Sequence, residues 1–250
     1  MKKFIFFVLL LLMSMPVLAE QVNYNEFQEA TLDIGLGSDM EIIEQSSTAT
    51  IDYLDVFLSF YPRATDQQSI VDFRTTPKAT EENGKLHYRW NFPGQKDLAF
   101  YVSSTVDVNG DFTRVKSKIK FPIEKLSEDY VVYTQPSENI DSDNEKIIKT
   151  ASSIVEGEDD LYEVAFALAR WVETNVQYSL DTLTADISQP ASWVLESKRG
   201  VCDELTTLYI AFLRSLGVPA RFISGVAYTN WNNLNDWGPH AWAEVYFPGY

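Results

Sequence analysis

The chain's single cysteine, Cys202, stands in Lys198-Arg199-Gly200-Val201-Cys202-Asp203-Glu204-Leu205, at the head of an apolar-periodic run. A cysteine in the first turn of a helix meets backbone N–H groups that have no intrahelical partner, and the positive helix end favours a thiolate. The same N–H groups can hold the oxyanion formed when an acyl carbon is attacked. Gly200 is expected to allow a tight turn into the helix. Asp203 and Glu204 pull the other way, because they suit a first helical turn but disfavour a neighbouring thiolate. A cationic histidine or Arg199 would have to offset them. Of the two histidines, His240 lies in Trp237-Gly238-Pro239-His240-Ala241-Trp242-Ala243-Glu244-Val245-Tyr246, behind a polar stretch over Thr229 to Asp236 of the kind that flanks clefts. On a strand, His240, Trp242 and Glu244 share one face. An imidazole beside a thiol can take its proton and later return it to a leaving amine. His87, in Leu86-His87-Tyr88-Arg89-Trp90, reads as a partly exposed strand histidine. Cys202 and His240 are therefore the candidate catalytic pair. The competing assignment for Cys202 is a buried residue that packs at the start of a core helix.

Two kinds of element must position that pair. From Glu20 to about Thr134 the hydrophobic period is two, with β-rich runs at Ala49–Leu58, Ser69–Phe73, Lys85–Phe92, Leu98–Val108 and Phe112–Phe121. Turn residues separate them at Glu82-Asn83-Gly84, Phe92-Pro93-Gly94 and Asn109-Gly110, of which Asn109-Gly110 is the strongest hairpin signal. Short strands with regular turns predict an antiparallel β-sandwich of immunoglobulin-like class over residues 20–135. Past the junction Gln135-Pro136-Ser137-Glu138-Asn139 the period becomes helical. Helices are predicted over Asp141–Val155, Leu161–Val176, Gln189–Ser197 and Cys202–Leu216, the last ending at Gly217 with Pro219 beyond it. Two β-like runs follow, Ala220–Tyr228 and His240–Phe247.

Twenty Lys+Arg against 36 Asp+Glu give a net charge of −16, which disfavours nucleic acid and anionic membrane surfaces as partners. Lys2 and Lys3, the apolar run Phe4–Met13 and Val17-Leu18-Ala19 form the pattern of a secretory signal peptide over residues 1–19. The run is shorter than an ordinary membrane span; an uncleaved anchor is the alternative. Export to the cell envelope or beyond is expected, and a lone cysteine in an oxidising compartment can form no internal disulfide. Asp141-Ser142-Asp143-Asn144-Glu145 begins like a calcium loop, but Lys146 and Ser152 stand where glycine and the bidentate acid belong. It reads as a helix start. No zinc spacing, phosphate loop or dinucleotide fingerprint is present, so no metal and no cofactor are expected.

Residues 193–247 resemble the transglutaminase-like superfamily. Arg199-Gly200-Val201-Cys202 before a helix is similar to its nucleophile segment, Leu216-Gly217-Val218-Pro219-Ala220-Arg221 to its next element, and His240-Ala241-Trp242-Ala243-Glu244-Val245 to its histidine strand. The similarity extends less securely back to about residue 140, through Asn175-Val176-Gln177-Tyr178. The resemblance implies a papain-like core over 140–250, and acyl transfer through a thioester on a protein or peptide substrate. It also implies a Cys–His–Asp triad whose aspartate lies on the strand after the histidine strand. No aspartate follows Asp236, and Glu244, about 13 Å along the strand from His240, is too far for a direct bond. The expectation is therefore a transglutaminase-like domain that is incomplete at Tyr250, in a chain of α+β class. A non-catalytic envelope scaffold with the same fold is the competing reading.

Overall fold

Alternation of apolar and polar residues builds the N-terminal half of the structure, a computed structural model that describes residues 28–43, 45–46, 48, 50–94, 97–110, 114–181, 189–229 and 236–250. Six strands form there: β1 Glu29–Glu41, β2 Tyr53–Leu58, β3 Gln68–Thr76, β4 Thr80–Glu82, β5 Lys85–Asn91 and β6 Asp97–Asn109. They make two antiparallel three-stranded sheets, in orders β1-β6-β3 and β2-β5-β4. Leu36, Phe73, Phe100 and Val102 of the first meet Val56, Leu86, Tyr88 and Trp90 of the second, and His87 and Arg89 take the outer face. This is an antiparallel sandwich of two three-stranded sheets, smaller than the seven-stranded immunoglobulin type.

The turns sort differently from their sequence signals. Asn83 and Gly84, at φ of 50° and 70°, close the β4–β5 hairpin as a two-residue primed turn with Glu82 opposite Lys85. Asn109-Gly110 makes no hairpin: the described residues 114–121 hold no strand, and Gly110 N–H instead bonds Gln28 O at 2.6 Å. The apolar residues beyond that turn are claimed elsewhere, for Val115, Ile119 and Phe121 pack into the C-terminal core. Strand β1 carries Gly35 and Gly37 because the Tyr101 ring lies across them. A Cβ at Gly35 would sit 2.2 Å from the Tyr101 hydroxyl. In β3 the register shifts between Ile70 and Asp72, so Val71 bulges outward and both Ile70 and Phe73 face inward.

The C-terminal half contains α1 Glu128–Val131, a 3-10 turn Val132–Thr134, α2 Glu145–Ile154, α3 Leu161–Asn175, β7 Gln177–Tyr178, α4 Ala191–Ser197, β8 Arg199–Gly200, α5 Cys202–Ser215, β9 Ala220–Thr229 and β10 Asp236–Val245. Side chains open two of these helices. Asn144 Oδ1 accepts from Lys146 N–H at 2.9 Å, and Asp160 Oδ1 from Tyr162 N–H at 3.1 Å. The calcium-like stretch is thus a capped helix start. Gly217, at φ 74°, ends α5, with Val218 N–H returning to Leu213 O at 3.0 Å. Helix α5 is the central element, packed against α2, α3, α4 and the antiparallel β9–β10 pair. Leu208, Ile210, Phe212 and Leu213 are buried completely, each stabilising the fold by about 1.5–3 kcal/mol. The start of this buried helix is where Cys202 sits. The leader expected over residues 1–19 and most of the polar loop expected before His240 lie outside the described residues.

Candidate active site

Cys202 is the first residue of α5, with Val201 as its N-cap. Val201 N–H donates to Glu204 Oε2 at 3.0 Å, so the buried Glu204 returns to tie down the turn that presents the thiol. Gly200 serves this turn by its size. Its φ is not positive, and a Cβ there would lie 2.4 Å from Glu204 Cβ. The expected conformational role for this glycine is corrected to one of space. Strand β8 then pairs in parallel with β7, Tyr178 opposite Gly200, and Ser179 N–H bonds Gly200 O at 2.9 Å. That short pairing delivers Tyr178 to Cys202.

Strand β10 passes on the other side. Its Ala241, Ala243 and Val245 are turned inward: Ala241 is buried, and Ala243 and Val245 pack on the α5 core. By alternation His240, Trp242 and Glu244 share the other face, where Trp242 and Glu244 are exposed and His240 is half-buried with its Nδ1 shielded from solvent. The Ala241 N–H donates to the Cys202 sulfur, which brings the thiol to the strand residue next to His240. Across the pair, His240 stands opposite Gly225 and Trp242 opposite Ile223. The Trp242 indole leans back over Gly225, where a Cβ would be 2.4 Å from the ring. Glu244 is occupied by Arg221, whose Nε donates to its Oε2 at 2.6 Å, so it is not an orienting acid for His240. Arg199 turns to the Trp193 ring, 5.8 Å from its centroid.

The electrostatics depart from the helix-dipole expectation. Burial pushes the Cys202 thiol up from its ordinary value, and the Asp203 carboxylate, whose Oδ1 lies 3.5 Å from the sulfur, adds to the rise. The Ala241 N–H opposes both and does not cancel them. The thiol at this helix start is therefore held neutral, contrary to the lowered pKa the sequence suggested. It is half-buried, not sealed beneath Leu205 and Leu208. The Tyr178 hydroxyl is pushed up to about 12 by burial and by Cys202; it accepts from the Cys202 N–H and bonds the Cys202 side chain. Sequence reading passed over Tyr178 as a functional residue. Its signal in the sequence was the stretch Asn175-Val176-Gln177-Tyr178, through which the resemblance extends back from the Cys202 segment.

A thiol, a strand that carries an imidazole, and a helix N–H with a phenol beside it are gathered at the start of α5. Residues 148–250 match the transglutaminase-like superfamily. This C-terminal part of the chain has a transglutaminase-like fold. Its motifs are those on which the sequence resemblance rested, and its fold is the helix-on-sheet, papain-like arrangement expected of it. A candidate cysteine protease from Cytophaga hutchinsonii, 20% identical, superposes with a TM-score of 0.62 over 88% of this chain and 76% of that one. That similarity extends the shared fold into the sandwich. The periplasmic domain of TgpA from Pseudomonas aeruginosa, 15% identical, gives a TM-score of 0.44 over 88% of this chain and 66% of that one. The uncharacterized protein YebA of Bacillus subtilis is 26% identical over 158 residues, which are 58% of this chain and 21% of YebA. The chain thus spans about a fifth of that relative's length.

Proposed function

We propose that the transglutaminase-like domain is an exported thiol enzyme acting on amide bonds of a protein or peptide in the cell envelope or beyond. The observation that carries this reading is the Ala241 N–H at the Cys202 sulfur, which sets the nucleophile against the histidine strand. Because burial and Asp203 keep the thiol protonated, His240 acts as a general base and not as the resting half of an ion pair. The thiolate attacks the carbonyl carbon as His240 takes the proton. The Cys202 N–H, which the Tyr178 hydroxyl occupies without substrate, and the Tyr178 O–H together receive the oxyanion. His240 then protonates the departing amine, leaving a thioester on Cys202. Water completes hydrolysis; a second amine completes transfer, and both fit the same chemistry.

The test is to trap the thioester. The chain is mixed with a library of peptide amides, quenched in acid and weighed intact. The expected result is a hydroxylamine-sensitive acyl adduct on Cys202, absent in Cys202→Ala and reduced about 10²–10⁴-fold in rate in His240→Ala. A folded chain that never acquires an adduct, with Cys202 labelled only after unfolding, would leave the domain as a scaffold.

A further inference from the structure

Asp203 is the charged group at this site that the proposed chemistry does not use and that works against it. Its Oδ1 accepts from the Cys202 thiol at 3.5 Å, and its charge opposes thiolate formation. A first-turn acid suits a helix N-terminus, yet Glu204 already fills that role through its bond to Val201 N–H. Elsewhere acids are held by cations, as Asp55 is by His87 and Arg89 and Glu244 by Arg221, or by hydroxyls, as Asp33 is by Thr105 and Asp107 by Thr31. Among the described residues no Lys, Arg or His forms an ion pair with Asp203. The carboxylate is partly buried, and its field reaches the Tyr178 phenol, which remains protonated and supplies no positive charge. Among the described residues the Asp203 carboxylate thus has no cation to balance it, and it stands beside the Cys202 thiol.

Resting on the thiol-enzyme reading, we propose that Asp203 binds a positively charged amino group of the acyl substrate, close to the carbonyl that Cys202 attacks. A bound ammonium cancels the repulsion that Asp203 exerts on the thiolate. A cationic substrate therefore releases the nucleophile that a neutral one leaves restrained. Asp203 is a specificity-determining residue on this account, and the substrate class is a peptide or amide with an ammonium next to the reacting acyl group.

Two small thiol reagents of equal shape test this without knowledge of the natural substrate. The folded chain is treated with 2-aminoethyl or 2-hydroxyethyl methanethiosulfonate, and Cys202 modification is followed by intact mass. Each rate is normalised to that of N-acetylcysteine amide. The cationic reagent is expected to react about fivefold faster, the upper end of a partly exposed ion pair. The ratio should fall towards one in Asp203→Asn. In the unaltered chain it should also shrink as salt rises to about 1 M, where charges are screened within about 3 Å; this arm needs no variant. A normalised ratio near one, or a ratio that Asp203→Asn leaves unchanged, overturns the inference. If Cys202 nevertheless labels in the folded chain and slows in His240→Ala, that failure leaves the thiol-enzyme reading intact. A Cys202 that neither reagent reaches before unfolding overturns both.

Discussion

At Gly200 the sequence motif and the structure agree on the residue and disagree on the reason. The glycine before the nucleophile was expected to turn the chain, but it makes room for Glu204, whose carboxylate ties down Val201. Gly200→Ala should therefore cost about 1–3 kcal/mol, as overpacking does, measured as a lower urea midpoint with unchanged slope. A variant of unchanged stability would mean that the turn gives way easily. Cys202 and His240 could be proposed from the sequence because each sits in a motif with a chemical rationale. The direction of the thiol's pKa was not legible, because burial depends on what packs over the helix start. Tyr178 was hidden for a similar reason. A two-residue parallel strand leaves no periodicity, and only the pairing with Gly200 shows where its side chain goes.

Among the elements, α3 and α5 were read nearly to the residue because 3.6-residue periodicity and caps are local, whereas the expected Asp141–Val155 shortened to Glu145–Ile154 and the short α1 fell inside the stretch read as β. The predicted Leu161–Val176 became Leu161–Asn175, and Cys202–Leu216 became Cys202–Ser215. Strands depend on neighbours far away in sequence. Strand β1 did not stand out, since Gly35, Gly37, Ser38 and Asp39 dilute its alternation and Tyr101 of β6 supplies the missing cover. The outer face of β2-β5-β4 carries a second prediction. His87 is bracketed, its Nε2 2.8 Å from Asp55 Oδ1 and its Nδ1 3.0 Å from Glu82 Oε1, with Arg89 also facing Asp55 and Phe57 stacked on the ring. Only the imidazolium donates to both carboxylates. Hydrogen bonds to Asp55 and then Glu82 raise the His87 pKa above 6.5, and the bond from His87 lowers that of Glu82 below 4.5. The histidine's contribution is thus complete below about pH 6.5 and fades as pH rises through its raised value; that of Glu82 is complete above about pH 4.5 and fades in acid. The thermal midpoint should fall as pH rises above about 6.5 in the native chain. The fall should be smaller in His87→Gln. Superimposable pH profiles for the two chains would refute the bracket.

Over the whole molecule, two cores divide the work. The sandwich closes around Leu86, Tyr88 and Val102, while the C-terminal core is built on α5 and draws in Ile119 and Phe121 from the connecting segment. That use of residues 115–123 explains why a β-like pattern after Asn109-Gly110 produced no strand. The apolar side chains were visible in the sequence, but the core they join was not. Because α5 both fills this core and presents Cys202, damage to its buried face should reach the site. Phe212, fully buried with Trp171 edge-on at 5.2 Å, is the strongest single probe. Phe212→Ala should cost about 3–5 kcal/mol in denaturant unfolding, and a loss below about 1 kcal/mol would contradict the central role given to α5.

The central claim is that His240 activates an otherwise neutral Cys202, and the rate of iodoacetamide alkylation as a function of pH tests it most directly. In the folded native chain the rate should already rise below the ordinary thiol value of about 8.5. In His240→Ala that rise should vanish, leaving a single increase above the ordinary thiol value of about 8.5, as the burial of Cys202 and the Asp203 charge require. Coincident profiles for the two chains, or alkylation that begins only when the protein unfolds, would contradict the account.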